Sequence, residues 1–188
     1  MPNYRRLWIP GCQYFVTMVT YGRQRLFVHE AVVGLWREAL SQSCRENGFV
    51  VHAAVVLHDH IHMIIILSPG RNDVGRGIGR AKALFTRCYT KRYTPAMCSK
   101  SESRYRHREE YIWQRRFYDH LIRDQRDYRL HMDYIHYNPV KHGYVKTPGE
   151  WKWSSFRLFC RKGLYREDWR MPADDDLSQI TEMANRLE

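Results

Sequence analysis

The sequence predicts an α+β fold: a ferredoxin-like split β-α-β with a central antiparallel sheet, helices on one face, and an additional C-terminal helix. Three observations carry this expectation. Short β-branched and aromatic runs alternate with longer stretches of helical periodicity. Their order is β-α-β-β-α-β and then a helix, and the main changes of period fall at Gly, Pro or Asn-Gly signals. At 188 residues the chain can bury one core without help from disulfides or metals.

Gln13 to Thr20 (QYFVTMVT) reads as the first strand. From His29 to Glu46, Val32, Leu35, Trp36, Ala39 and Leu40 recur at helical spacing, and Asn47-Gly48 supplies a C-cap. Phe49 to Leu57 and His60 to Leu67 are the next two strands, the second closed by Ser68-Pro69-Gly70. Residues 74–93 are expected to become helical from Ile78, with Ala81, Leu84 and Phe85 on its apolar face. Just before, Gly75-Arg76-Gly77-Ile78-Gly79 lacks the strand context and the Gly-Lys-Ser/Thr of a phosphate loop, so a flexible entry to the helix is expected. Pro95 to Arg108 is a polar loop and Tyr111 to Phe117 a candidate fourth strand. Asp124 to Asn138 is a helix stopped by Pro139. Residues 1–156 are assigned to one domain and 157–188, aromatic and then acidic, to a C-terminal extension.

Composition narrows the function classes. Apolar residues at 44% and charged residues at 27% exclude wholesale disorder. No run reaches the ~18–20 uncharged apolar residues of a membrane span; the most apolar stretch, Phe49 to Leu67, carries four histidines and an aspartate. The N-terminal MPNYRRLWIPG has no apolar segment of a secretory signal. Cys12, Cys44, Cys88, Cys98 and Cys160 form no Cys-x-x-Cys pair and are expected to be reduced thiols of a cytoplasmic protein.

The net charge is +11, with sixteen basic against seven acidic residues between 71 and 129. Such a concentrated field suits a polyanion. Tyr89, Tyr93, Tyr105, Tyr111, Trp113, Phe117 and Tyr118 are interleaved with these arginines and lysines. Aromatic platforms beside cations stack on unpaired bases, which a duplex hides, so single-stranded or hairpin nucleic acid is the expected partner.

Two constellations can do chemistry. In His58-Asp59-His60-Ile61-His62, strand alternation is expected to put the three histidines on one face, where two imidazoles at i and i+2 can grip one ion. In Tyr134-Ile135-His136-Tyr137-Asn138, Tyr134 and Asn138 share a helix face one turn apart. They offer a phenol nucleophile and a hard amide oxygen. Taken alone, that segment reads better as a packing aromatic and a helix end. Tyr137, three residues along the same helix, is an alternative nucleophile. Arg115, Arg116, His120 and Arg123 lie upstream of this helix and are candidates for holding phosphates or sugars; Lys141 and His142 follow it as further nucleic-acid-contact candidates.

The stretches VVLHDHIHMIIIL (55–67), WQRRFYDHLIRD (113–124) and HMDYIHYNPVKHGYV (131–145) together resemble the REP-associated tyrosine transposases. These form a branch of the single-tyrosine His-hydrophobic-His transposases of bacterial insertion sequences. The resemblance runs from about Tyr14 to Phe156. It implies that His60 and His62 bind a divalent metal, Mg²⁺ or Mn²⁺, and that Asn138 completes the site. It implies that Tyr134, on the C-terminal helix, forms a 5′-phosphotyrosine link to single-stranded DNA. The DNA it implies is a short imperfect hairpin, a repetitive extragenic palindrome, with a guide tetranucleotide at its foot. Where the family usually has proline before Asp59, this sequence has His58, which is expected to be a solvent-facing change.

Two rivals are weighed against this. Histidine-triad nucleotide hydrolases carry a similar strand, but need an apolar residue where Asp59 stands, and do not account for DYIHYNPVKHG. A hairpin-binding protein without turnover would keep the basic surface but has no need of His60, His62, Tyr134 and Asn138 together.

Overall fold

In the computed structural model the described residues are 8–70, 73–93 and 112–171. The elements are β1 (Gln13–Val19), α1 (Glu30–Asn47), β2 (Phe49–Val56), β3 (His60–Leu67), α2 (Val74–Tyr93), β4 (Tyr118–Leu121), α3 (Gln125–Lys141) and the short α4 (Phe156–Arg161). The strands form one antiparallel sheet in the order β2-β3-β1-β4, the split β-α-β arrangement expected.

The two sheet faces have different clients. Met18, Val16, Ile61, Met63 and Ile65 are buried on one face. On that side α2 lies so close to β2 that a Cβ added at Gly77 would sit 2.6 Å from the Phe49 ring. Helices α1 and α2 pack on each other there, with Trp36, Phe85, Phe27 and Trp113 in mutual ring contact and Ser43 Oγ donating to Gly77 O. The other face carries Phe15, Thr17, His60 and His62, and α3 covers it.

Several boundaries differ from the sequence reading for physical reasons. The fourth strand is Tyr118–Leu121 rather than a run starting at residue 111. Ile112 and Trp113 are apolar because they plug the α1–α2 layer, with only an isolated bridge from Trp113 to Thr20. The true strand, Tyr-Asp-His-Leu, is a half-buried edge without a strong apolar pattern. The Gly-rich stretch is helical from Val74 onward, because close packing at Gly77 overrides weak glycine propensity. Asp73 Oδ1 accepts from Arg76 N at its start. Helix α3 runs past Pro139 to Lys141, since the proline stands in the last turn and Tyr144 N donates to its carbonyl. Gly48 ends α1 in the left-handed conformation, φ 66°, as the Asn-Gly signal predicts.

The segment after α3 closes the open edge of β2. Val56 N donates to Trp153 O, Trp151 Nε1 to Val56 O, and Ser155 N to Ala54 O. Ser155 Oγ accepts from Ala54 N and is hydrogen-bonded to His136 Nε2. The residue-156 boundary between core domain and extension falls at the first residue of α4, whose Phe156 and Phe159 are buried. No helix among the described residues is long and apolar enough to cross a membrane, and Cys12, Cys44, Cys88 and Cys160 are free thiols. The Pro95–Arg108 loop, Cys98, Tyr105, Tyr111 and the acidic tail lie outside the described residues.

Gly77→Ala is expected to destabilise the protein by about 1–3 kcal/mol through overpacking, because the Phe49 ring is itself enclosed. Urea unfolding monitored by tryptophan fluorescence measures it. A second expectation concerns pH. Burial pushes the His136 imidazole from its ordinary 6.5 down to about 3, so the folded state keeps it neutral where the unfolded chain protonates it. Stability linked to His136 is therefore full above pH 6.5 and lost as the pH falls. The stability of the native protein relative to His136→Gln should drop by about 2 kcal/mol between pH 7 and pH 5.

Candidate active site

Register places the histidine pair. His60 is opposite Val19 and His62 opposite Thr17 in the β1–β3 ladder, so both imidazoles project toward α3 from an interior strand. Both are fully buried. His60 Nδ1–H donates to Asp59 Oδ1 at 2.7 Å, and Arg23 donates to Asp59 Oδ2 at 3.3 Å. This leaves His60 Nε2 as the basic nitrogen, since a carboxylate partner selects the Nδ1–H tautomer. Thr17 Oγ1 is 2.8 Å from His62 Nδ1 and restrains the rotation of that ring. Burial alone would raise the Asp59 carboxyl; the hydrogen bond and charge of His60 and the nearby Arg23 outweigh it and keep Asp59 below the usual carboxylate range.

His58 is not part of this face. Strand β3 begins at His60, and His58-Asp59 form the turn of the β2–β3 hairpin, with Leu57 N donating to His60 O. Nor is His58 solvent-facing: it is half-buried, 2.7 Å from Arg25 NH2, and its ring packs on Tyr144, Trp151 and Trp153. Asp59 likewise bends back to His60 instead of pointing away, because a turn residue does not obey strand alternation.

Opposite the pair, α3 and its C-cap present Tyr134, Asn138 and His142 at i, i+4 and i+8, one stripe of the helix. The Tyr134 ring meets His62 edge-on at 5.1 Å and Phe15 at 6.0 Å. His142 meets His60 at 5.0 Å. The ends of the stripe therefore stand over the two histidines, with Asn138 between them. Asn138 is completely buried, and neither Oδ1 nor Nδ2 has a hydrogen-bond partner among the described residues. An unsatisfied amide in a protein interior costs about 1–3 kcal/mol, a cost that a bound ion or water removes. Two imidazoles and a buried amide oxygen fit a divalent cation.

The remaining candidates divide. Lys141 Nζ sits 5.3 Å over the Tyr134 ring, at the site. Tyr137 is turned away from it, its ring 6.5 Å from Trp169. Arg115, Arg116 and Arg123 are exposed and could reach a phosphate backbone. His120 is instead engaged with Asp127, which it approaches to 2.8 Å; Asp127 also accepts from Arg123 N and contacts His131 at 3.0 Å. His120, Asp127 and His131 bring ligand atoms within 4.8 Å of one another, a donor set suited to a divalent cation whose atoms are here bonded to each other. Sequence reasoning missed Thr17 and Arg23, which no motif marks. It placed His142 as a DNA contact rather than at the pair; its i+8 spacing from Tyr134 was the available signal.

If Asn138 is retained for a ligand and not for packing, Asn138→Leu should leave the metal-free protein as stable as the native one or more stable by about 1 kcal/mol. Urea unfolding in EDTA measures this; a loss of stability would mark the amide as a structural hydrogen-bonding group.

Comparison with known proteins places the chain. The family profile of IS200-like transposases matches residues 9–138. A Haemophilus influenzae protein named as a candidate REP-associated tyrosine transposase is 39% identical over 170 residues, covering 90% of this chain and 93% of that protein. The REP-associated tyrosine transposase of Escherichia coli K12 is 36% identical over 169 residues, covering 90% and 91%. The solved structure of a REP-associated tyrosine transposase bound to a REP hairpin superposes with a TM-score of 0.75 at 34% identity, covering 93% of this chain and 94% of that one. The chain belongs to the IS200-like transposases and, among them, to the REP-associated tyrosine transposases.

Proposed function

We propose that this protein binds REP-type DNA hairpins and cleaves the adjoining single strand through a covalent 5′-phosphotyrosine on Tyr134, rejoining strands without ATP. The observation that carries the reading is the stripe Tyr134–Asn138–His142 lying over His62 and His60, with an unsatisfied amide at its centre. His60, His62 and Asn138 would hold a divalent ion, Mg²⁺ or Mn²⁺, which would supply Lewis acidity at the scissile phosphate.

The chain's own groups do the rest. Tyr134 Oη attacks phosphorus, forming one P–O bond as the bond to O3′ breaks; the phenolic proton leaves and a proton arrives at O3′. The phosphotyrosine ester conserves the energy of the phosphodiester, so a free 3′-hydroxyl can reverse the step on another strand. His62 and Phe15 hold the Tyr134 ring against rotation, which positions its oxygen for in-line attack. The Lys141 ammonium, beside that ring, neutralises a phosphate oxygen. Arg115, Arg116 and Arg123 contact the phosphate backbone away from the chemistry. The hairpin comes from the solved relative, whose bound ligand is a REP hairpin.

The test is incubation of end-labelled hairpin-bearing single-stranded DNA with the protein and Mn²⁺, followed by denaturing gels. A covalent protein–DNA band is expected. Tyr134→Phe should abolish the band with hairpin affinity nearly unchanged, and Tyr137→Phe should keep it. Release of a nucleotide without the band would support a histidine-triad-like hydrolase, and a shifted native band alone a binding protein without turnover.

A further inference from the structure

Helix α2 carries a charged surface that the cleavage site does not use. Its 20 residues, Val74–Tyr93, include six lysines and arginines and no acidic residue. At about 100° per residue, Arg76, Arg80, Arg87 and Lys91 fall on one stripe within about 60° of arc. All four are exposed. Arg80 pairs with Glu46 of α1 at 2.6 Å, and the other three form no ion pair among the described residues.

A second stripe, Lys82, Phe85, Tyr89 and Tyr93, borders the exposed face of the helix on its other side. Its rings form a ladder. Phe85 stacks on Tyr89 at 5.5 Å, and Tyr89 meets Tyr93 at 5.0 Å. The ladder climbs out of the core, from buried Phe85 through half-buried Tyr89 to Tyr93, which is 39% exposed. The Arg92 guanidinium lies 5.9 Å from the Tyr93 ring. Between the stripes stand Gly79 and Ala83, both exposed and too small to keep one strand from reaching both rows.

A row of cations beside a row of rings matches a polymer with phosphates along one edge and unpaired bases along the other. A duplex fits less well, because it presents no base faces to the ladder. From Lys82 to Tyr93 the helix rises about 16 Å, room for roughly three to five nucleotides. The surface also adjoins a segment that hairpin binding already uses. Lys82 Nζ donates to Gln114 O at 2.6 Å, which brings the foot of the ladder beside the segment of exposed Arg115 and Arg116. Because α2 lies on the sheet face opposite α3, DNA held here leaves Tyr134 and the histidine pair uncovered.

We propose that α2 is a second DNA surface, holding unpaired DNA that continues from the hairpin on the side of the sheet away from Tyr134. Arg87 and Lys91 take phosphates, and Tyr93, backed by Tyr89, takes a base. Neither row reads a base edge, so flanks of any sequence are accepted. This rests on the hairpin-DNA reading above and extends it from the cleavage site to the flank.

Affinity of the full chain for a REP-type hairpin, either trimmed or carrying about fifteen unpaired nucleotides, tests this. The native protein should bind the tailed hairpin about tenfold or more tightly than the trimmed one. Tyr93→Ala should lose most of that gain, and Tyr93→Phe, which keeps the stacking face, should retain it. Arg87→Gln combined with Lys91→Gln should flatten the salt dependence of log K for the tailed hairpin by roughly 1.4, about 0.7 per phosphate. All these variants should bind the trimmed hairpin as the native protein does. A second measurement needs no variant: 5-iodouracil in the tail should photocrosslink to peptides of α2. Equal native affinity for both DNAs, a native tail gain in Tyr93→Ala, or no crosslink to α2 overturns the proposal. Equal losses on trimmed and tailed hairpins assign α2 to the hairpin itself and likewise overturn it. The covalent band on Tyr134 is scored separately: its absence overturns the cleavage reading and leaves a measured tail gain standing. No binding of either DNA overturns both readings.

Discussion

The antiparallel pairing of β3 with β1 sets the position of both histidines of the pair and of the Thr17 beside them. Because Thr17 stands opposite His62 and Val19 opposite His60, the strand that carries the pair is interior to the sheet, flanked by β2 on its other side. A one-residue slip would turn both imidazoles into the apolar layer beneath α1 and α2 and turn Ile61 and Met63 toward α3. The continuous burial of Ile61, Met63 and Ile65 makes that slip prohibitive. The hydrophobic half of β3 thus enforces the orientation of its polar half. Thr17, a residue with no chemistry of its own, becomes part of the site through register alone.

Placing imidazoles in a dry interior costs stability unless their nitrogens are engaged, and the sheet and hairpin turn offset that cost locally. Asp59 and Thr17 each take one nitrogen: the carboxylate selects the His60 tautomer, and both contacts restrain ring rotation before any ligand arrives. Arg23, the single non-glycine residue with positive φ among the described residues, reaches back to Asp59 and keeps that carboxylate ionised inside the protein. The amide of Asn138 has no such relief among the described residues. One nitrogen of each imidazole is engaged in advance, while neither polar atom of the amide is.

The sequence made the central layer legible and the periphery less so, for the same physical reason. β1, β2, β3 and α1 bury most of one face or both, so apolar spacing reports them within a residue or two. The edge strand Tyr118–Leu121 buries little and leaves almost no pattern, while Ile112 and Trp113 just before it are apolar for a packing role in another layer. The helical start of α2 was hidden because its glycines serve contact with Phe49, not propensity. At the site, side chains in regular elements were readable by spacing: the His60–His62 alternation and the Tyr134–Asn138 turn. Residues whose place depends on a turn were not. His58 and Asp59 break strand alternation because the hairpin turns there, and nothing in their spacing reveals it.

His58 shows how such a residue still reaches the centre. Its ring packs at 4.4 Å on Tyr144, Tyr144 stacks at 5.7 Å on His142, and His142 meets His60 at 5.0 Å. Trp151 backs Tyr144 at 5.3 Å and anchors it to β2 through its bond to Val56 O. The β2–β3 turn, the C-cap of α3 and the segment that closes the β2 edge are therefore joined by one run of rings ending at the histidine pair. Close-packed rings have few alternative arrangements, so a shift at the turn is transmitted as displacement rather than absorbed. A proline at position 58 would stiffen the turn through its own ring; the histidine here achieves stiffness by contact, through Arg25 on one side and Tyr144 on the other. The histidine here thus ties the turn to the segment that carries His142 by packing alone.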